Sequence, residues 1–308
     1  MVAFFFACDI IQSMKNEDLK AYVESNPHLV SKKETSMKGL YVLKYKKKVF
    51  YDGLWNEYLE ECRGTIVDED FNIVSYPFTK IYNYGVESKA PVLDDDTPVW
   101  CYRKVNGFMV AVTWHNDQLL VSTTGSVDSP YVAMAKELID VENFSKVIKL
   151  MPHHTFMFEC VHPDDPHIIP EESGMYLLGS REKELGSKIN HVGLDIVAQT
   201  LGLNCFGVPN DRTFVKNVME NVKNVKHEGF VFYTDDGQAA KIKSPYYLVK
   251  KFVARNPRTD KLMRPDIKQS LDEEYYPLID AIQKNIVEYT AMGEQQRLAW
   301  VRRFLENQ

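Results

Sequence analysis

The sequence predicts an α+β protein, with antiparallel sheets flanked by helices over residues 1–250 and a small helical region over 251–308. Three observations carry this expectation. Gly229 to Thr234 and Gln238 to Ser244 are runs rich in β-formers, joined by Asp235-Asp236-Gly237, and they read as a hairpin. Between Ser129 and Asp140 the period changes: Val132, Met134, Ala135, Leu138 and Ile139 follow helical spacing behind a Ser129 N-cap and Pro130 at the first helical position. Beyond Pro245 nearly all apolar residues keep a helical period, including Leu278 to Tyr289 and Gln295 to Leu305.

The remaining elements follow in order. Residues 15–26 read as a helix, 40–51 as one long or two short strands rich in Tyr, Val and Lys, and 54–62 as a helix again. Thr65-Ile66-Val67 and Asn72-Ile73-Val74-Ser75 flank the polar turn Asp68-Glu69-Asp70 and predict a hairpin. Two or three strands are expected between Pro98 and Thr124, with Asn106-Gly107 and His115-Asn116-Asp117 as turns. Strands recur at 155–161 and 175–178, and a helix covers 192–201. The apolar run Val2 to Cys8 has no basic flank and is cut by Asp9, so a buried strand or helix is expected there rather than a signal or a span.

Composition limits the functions available. A chain of 308 residues with 44% apolar content buries a substantial core and is not disordered. Cys8, Cys62, Cys101, Cys160 and Cys205 lie far apart, which argues against a disulfide framework and for a reducing, cytoplasmic setting, the host cytoplasm if the chain is viral. A net charge of −6 excludes nucleic-acid binding by bulk charge, so a polyanion must meet a local basic surface. Lys44, Lys46, Lys47 and Lys48 offer one, although such a run is ordinarily a solvated edge.

The chemistry centres on Lys104, which closes a strand before Val105-Asn106-Gly107. A protonated lysine is inert, and a nucleophilic one needs burial or neighbouring cations to lower its pKa. Lys241 and Lys243 are two apart on a strand and share a face, so they fit a phosphate clamp whose field would help deprotonate Lys104; the bland alternative is a solvated face. Glu159 and Glu228 each sit in an apolar strand, where a carboxylate must be paired, hydrogen-bonded or metal-bound. Arg63, before Gly64, suits bidentate phosphate contact. The ordinary reading of Lys80 is that it snorkels over Phe78 and Tyr82. His153, His154, His162 and His167, with Asp164 and Asp165, match no standard ligand spacing and fall in a proline-marked loop, so zinc is not expected.

Taken in order, these segments resemble the nucleotidyltransferase motifs of the ATP-dependent RNA ligases, in particular the phage T4 RNA ligase 1 group. Lys104-Val105-Asn106-Gly107 is similar to the family's lysine motif, Phe158-Glu159-Cys160 to its middle acidic motif, Glu228-Gly229-Phe230-Val231 to the fourth and Lys241-Ile242-Lys243-Ser244 to the fifth. Glu61-Cys62-Arg63-Gly64 and Pro77-Phe78-Thr79-Lys80 resemble upstream segments of the group. The resemblance implies a ligase-type nucleotidyltransferase domain that uses ATP and magnesium, or manganese in its place. Lys104 would attack the α-phosphate of ATP, the adenylyl group would pass to an RNA 5′-phosphate, and a 3′-hydroxyl would seal the strand. It implies that Glu159 contacts ribose or metal, Glu228 the metal, Lys241 and Lys243 the α-phosphate and leaving group, and Arg63 and Lys80 the triphosphate or RNA end. RNA with 5′-phosphate and 3′-hydroxyl ends is the implied partner, with room for an end-healing enzyme alongside and no membrane.

Asn106 stands where the family has Asp and remains a nucleotide-site candidate, Thr124 replaces a basic residue before Gly125-Ser126, and the chain after Ser244 is shorter than the phage enzyme's helical domain. Two other readings stay open. One is a nucleotidyltransferase acting on DNA ends, a nicked duplex or an RNA cap; the other is an inactive relative that binds nucleotide or RNA.

Overall fold

The computed structural model describes residues 15–165, 167–203, 212–255 and 259–307. The expected element at Val2 to Cys8 lies outside them, as do Cys8 and Cys205. An N-terminal helix, Asn16–Ser25, packs Leu19 and Val23 against a first sheet of β1 (Val30–Glu34), β2 (Tyr41–Tyr45), β3 (Arg63–Val67) and β4 (Ile73–Ser75), antiparallel in that order. The chain then opens a second sheet with β5 (Tyr82–Asn83) and β6 (Pro98–Lys104). It crosses to a third, built from β7 (Phe108–His115), β8 (Gln118–Ser122), β9 (His154–Val161), β10 (Gly174–Glu182) and β11 (Ile189–Asn190). It returns to the second sheet with β12 (Arg212–Phe214), β13 (Gly229–Tyr233) and β14 (Ala239–Lys243). The second sheet runs β12-β6-β13-β14-β5 and the third β11-β10-β9-β7-β8.

The α+β expectation holds, with three corrections. Residues 47–51 are a short helix rather than strand; it contributes the buried Val49, and one buried residue in a single turn leaves no legible period. β1 is a strand the pattern did not show, because Lys32, Lys33 and Glu34 hide its alternation. Asn106-Gly107 is not a hairpin turn, since β6 pairs with β12 and β13 while β7 pairs with β8 and β9, so this dipeptide is the crossing between two sheets. The His115-Asn116-Asp117 turn does form a hairpin, with Asn116 and Asp117 at positive φ.

The third sheet buries Val110, Val112, Phe156 and Phe158 under helices Pro130–Glu137, Val141–Ile148 and Leu194–Thr200. One face of the second sheet buries Val99, Phe232 and Ala240 against Val215 and Val218 of helix Val215–Asn221. Its other face is left for the site. After Ser244, helix Pro245–Arg255 joins a helical unit with its own core, including Leu248, Leu278, Ile279, Ile282 and Leu305. Among the described residues no helix is long and apolar enough to cross a membrane.

Candidate active site

Strand register places the site. Lys104 of β6 and Lys243 of β14 both pair with Gly229 of β13, so the two lysines flank a residue with no side chain, on one face. By the same alternation Trp100, Tyr102, Val231, Tyr233 and Lys241 share that face. Gly229 is obligatory: its φ is +145°, and a Cβ there would lie 2.0 Å from the Ile242 carbonyl oxygen. Gly107 is equally constrained, because a Cβ would lie 2.3 Å from the Cys160 carbonyl oxygen, and this close approach brings Glu159 of the third sheet to the crossing.

The Lys104 side chain is about one-fifth exposed, and its amine lies 3.2 Å from Glu228 Oε2. Asn106 Nδ2 donates to the same oxygen at 2.7 Å, and Asn106 Oδ1 accepts from the Ile169 amide at 3.0 Å. Glu159 Oε1 accepts from the Gly107 amide at 3.0 Å. The sequence thus brings Lys104, Asn106, Glu159, Glu228 and Lys243 into one constellation.

Its electrostatics correct one expectation. Burial would lower the Lys104 pKa, but Glu228 and Glu159 outweigh it and hold the amine above its ordinary value, so the neighbouring lysines do not by themselves deprotonate Lys104. Lys241 is the amine brought near neutrality: burial first, then Lys243 and Lys80, push it down to about 7. Lys243 moves upward, because Glu274, Glu228 and Asp272 outweigh its burial. Burial raises Glu159, with Lys104 opposing; for Glu228, Lys104 and Lys243 overcome burial and the net shift is downward.

Arg63 donates from Nη1 to the Thr79 carbonyl at 3.0 Å and lies within the field of Lys241. Its Nε is buried with no hydrogen-bond partner among the described residues. Lys80 does not snorkel to water over Phe78 and Tyr82. It is buried, ion-paired to Glu87 at 2.7 Å and Glu273 at 3.4 Å, with its amine 5.0 Å from the Trp55 ring centre and 4.9 Å from that of Tyr82. Near Thr124, the Lys44 amine lies 3.0 Å from where a Gly125 Cβ would stand, so β2 delivers a cation to that loop from elsewhere in the chain.

Two features escaped the sequence reading. A cavity of about 640 Å³ opens on the lysine-bearing face, lined by Trp100, Tyr102, Tyr233, Ile189 and His191. His191 stacks on Tyr102 at 4.9 Å, and burial pushes it down to about 4, so it is a neutral ring. The Trp100-x-Tyr102-x-Lys104 alternation was the available signal. The second is Asp272-Glu273-Glu274 of the helical unit, whose carboxylates reach Lys80 and Lys243 of the site as well as Lys251.

The site is thus a lysine paired with a buried acid and flanked by further cations, on the sheet face whose aromatics line the cavity. A family model for RNA ligases of the phage T4 RNA ligase 1 type matches residues 61–247, and the chain belongs to this RNA ligase family, a family of enzymes. It is 30% identical over 135 residues to RNA ligase 1 of bacteriophage TS2126, covering 39% of this chain and 34% of that protein, about a third of its length. It is 22% identical over 305 residues to the RNA ligase of Rhodothermus phage RM378, covering 76% of this chain and 69% of that one. The fold is similar to a putative ATP-dependent DNA ligase from Aquifex aeolicus, with TM-score 0.59, 15% identity, and 93% and 77% of the two chains covered. It is also similar to an archaeal ATP-dependent RNA ligase, with TM-score 0.59, 14% identity, and 92% and 74% covered.

Proposed function

We propose that the chain is an ATP-dependent RNA ligase that joins 5′-phosphate and 3′-hydroxyl RNA ends through a covalent Lys104 adenylate. The observation that carries this reading is the flanking of Gly229 by Lys104 and Lys243, with Glu228 3.2 Å from the Lys104 amine, on the face that bears the aromatic cavity. Lys104 to Trp100 spans four strand residues, about 13 Å. That length and the cavity's size suit a nucleoside whose phosphates point toward Lys104.

Lys104 Nζ forms the bond to the α-phosphorus as the bond to pyrophosphate breaks. Lys243, Lys241 and Arg63 take up the charge of the departing group. Before attack the amine sheds a proton. The Lys104 side chain is about one-fifth exposed, so the proton passes to solvent.

Glu228 and Glu159 fit a magnesium site of the kind that takes one or two carboxylates and completes its shell with phosphate oxygens and water. Among the described residues no three acidic, His or Cys side chains cluster to hold an ion without such help. Bound there, magnesium would neutralise the two acids that keep Lys104 protonated. We assign the catalytic unit to residues up to about 250 and treat the helical unit after it as a separate region.

The test is sealing of a single-stranded RNA bearing a 5′-phosphate and a 3′-hydroxyl, with ATP and magnesium, beside a nicked duplex and a DNA strand. Sealing of the RNA is expected. Covalent labelling by GTP but not ATP would overturn the reading in favour of a capping-type transfer, and ATP affinity without pyrophosphate release would mark an inactive relative.

A further inference from the structure

We propose that the acidic run Asp272-Glu273-Glu274 is a built-in competitor of the nucleotide's triphosphate for the phosphate-site lysines Lys80 and Lys243, withdrawing when ATP binds. This rests on the reading of the site given above. Each acid of the run meets a different cation. Asp272 pairs with Lys251, Glu274 with Lys243, and Glu273 with Lys80 at 3.4 Å while also accepting from Asn83 Nδ2 at 3.2 Å. Glu274 is 4% exposed and the Lys243 side chain 10%, so this is not a loose surface pairing.

Lys80, Lys241 and Lys243 belong to the sheet domain and the acids to the helical unit, whereas Asp272–Lys251 is a pair within that unit. Lys80 precedes β5, Lys241 and Lys243 lie on β14, and Lys251 lies on the helix that follows, whereas the run precedes helix Tyr276–Lys284. Burial would push Glu274 up, but Lys243 and Lys241 outweigh it and hold the carboxylate down at about 2, so it stays charged at any working pH. A triphosphate brings several negative charges to the same cations. Carboxylate and phosphate oxygens cannot share Lys243 in a buried site without strong like-charge repulsion, so one occupant excludes the other. Removing the carboxylates with nothing in their place would strand buried ammonium groups, so the lysines keep an anionic partner in either arrangement.

The experiment uses the full chain and two variants, Glu274→Gln and Glu273→Gln, each checked for folding by circular dichroism and thermal melting. Binding of a non-hydrolysable α,β-methylene ATP, of inorganic tripolyphosphate and of adenosine is measured by calorimetry. Glu274→Gln is expected to bind both triphosphates about tenfold more tightly than wild type, and Glu273→Gln about threefold, with adenosine unchanged. On adding the ATP analogue to wild type, amide exchange over Ile267 to Ile279 should rise. Should Glu274→Gln fail to fold, the part-exposed Glu273 variant and the exchange measurement decide the matter. Equal or weaker triphosphate binding in the variants, or protection of that segment, would overturn the competitor while leaving the nucleotide site standing. If neither wild type nor variant binds either triphosphate, the nucleotide reading falls and the competitor with it.

Discussion

Replacing Asn106 by Asp probes the charge balance of the site most sharply. Asn106 is 4% exposed, donates to Glu228 Oε2 at 2.7 Å and accepts from the Ile169 amide at 3.0 Å. Aspartate keeps the acceptor but loses the donor and places a second carboxylate against Glu228. Relaxed to about 4 Å, at an effective dielectric near 20, the repulsion is about 4 kcal/mol. A lost hydrogen bond to a charged group adds about 2 kcal/mol. The Lys104 ammonium offsets part of this, leaving a net destabilisation of about 3 kcal/mol at about pH 8. The new acid has a folded-state pKa above its unfolded value near 3.9, so the folded state holds the extra proton. The penalty is therefore absent below about pH 4 and grows as pH rises through the folded pKa. Urea denaturation of wild type and Asn106→Asp at about pH 8 and about pH 4.5 reads this directly. A stability gap that is equal at both, or larger at the lower pH, would refute the reasoning.

Three further outcomes follow from the same geometry. Glu228→Gln removes the partner that most strongly holds Lys104 protonated, so acetylation of Lys104 mapped by mass spectrometry should reach its midpoint at lower pH than in wild type; an unchanged or higher midpoint contradicts the ion pair. Lys241→Met should raise the melting temperature by several degrees at about pH 6 and by less at about pH 10. The sign follows from a folded pKa of about 7, which makes the unfolded chain bind more protons up to the ordinary lysine range, so the cost of Lys241 is full below pH 7 and fades above it. Gly229→Ala, with its φ of +145° and a Cβ 2.0 Å from a carbonyl oxygen, should cost about 3 kcal/mol or more in chemical denaturation, and a loss under about 1 kcal/mol would be inconsistent with the register.

Local pattern carried some features of the site into view and could not carry others. The shared face of Lys241 and Lys243 is a consequence of strand period alone, and the cost of burying Glu159 and Glu228 pointed to partners before any were seen. Asn106-Gly107 misled because the same dipeptide serves a hairpin turn and a crossing between sheets, and only long-range pairing of β6 and β7 distinguishes them. The direction of the Lys104 shift was illegible for a related reason: the lysines that would lower it and the acids that raise it are far apart in sequence, and the balance depends on which lie nearest. Asp272-Glu273-Glu274 shows no local sign of its partners, since only the fold brings it onto Lys80, Lys243 and Lys251.

The central claim is that Lys104, and not the near-neutral Lys241, bonds to phosphorus. Incubation of the protein with ATP labelled in the α-phosphate, followed by denaturation, proteolysis and mass mapping, locates the adduct. The account predicts an acid-labile adenylate on Lys104 that Lys104→Met abolishes and Lys241→Met reduces without relocating. An adduct on Lys241, or one that persists in the Lys104 variant, would contradict it.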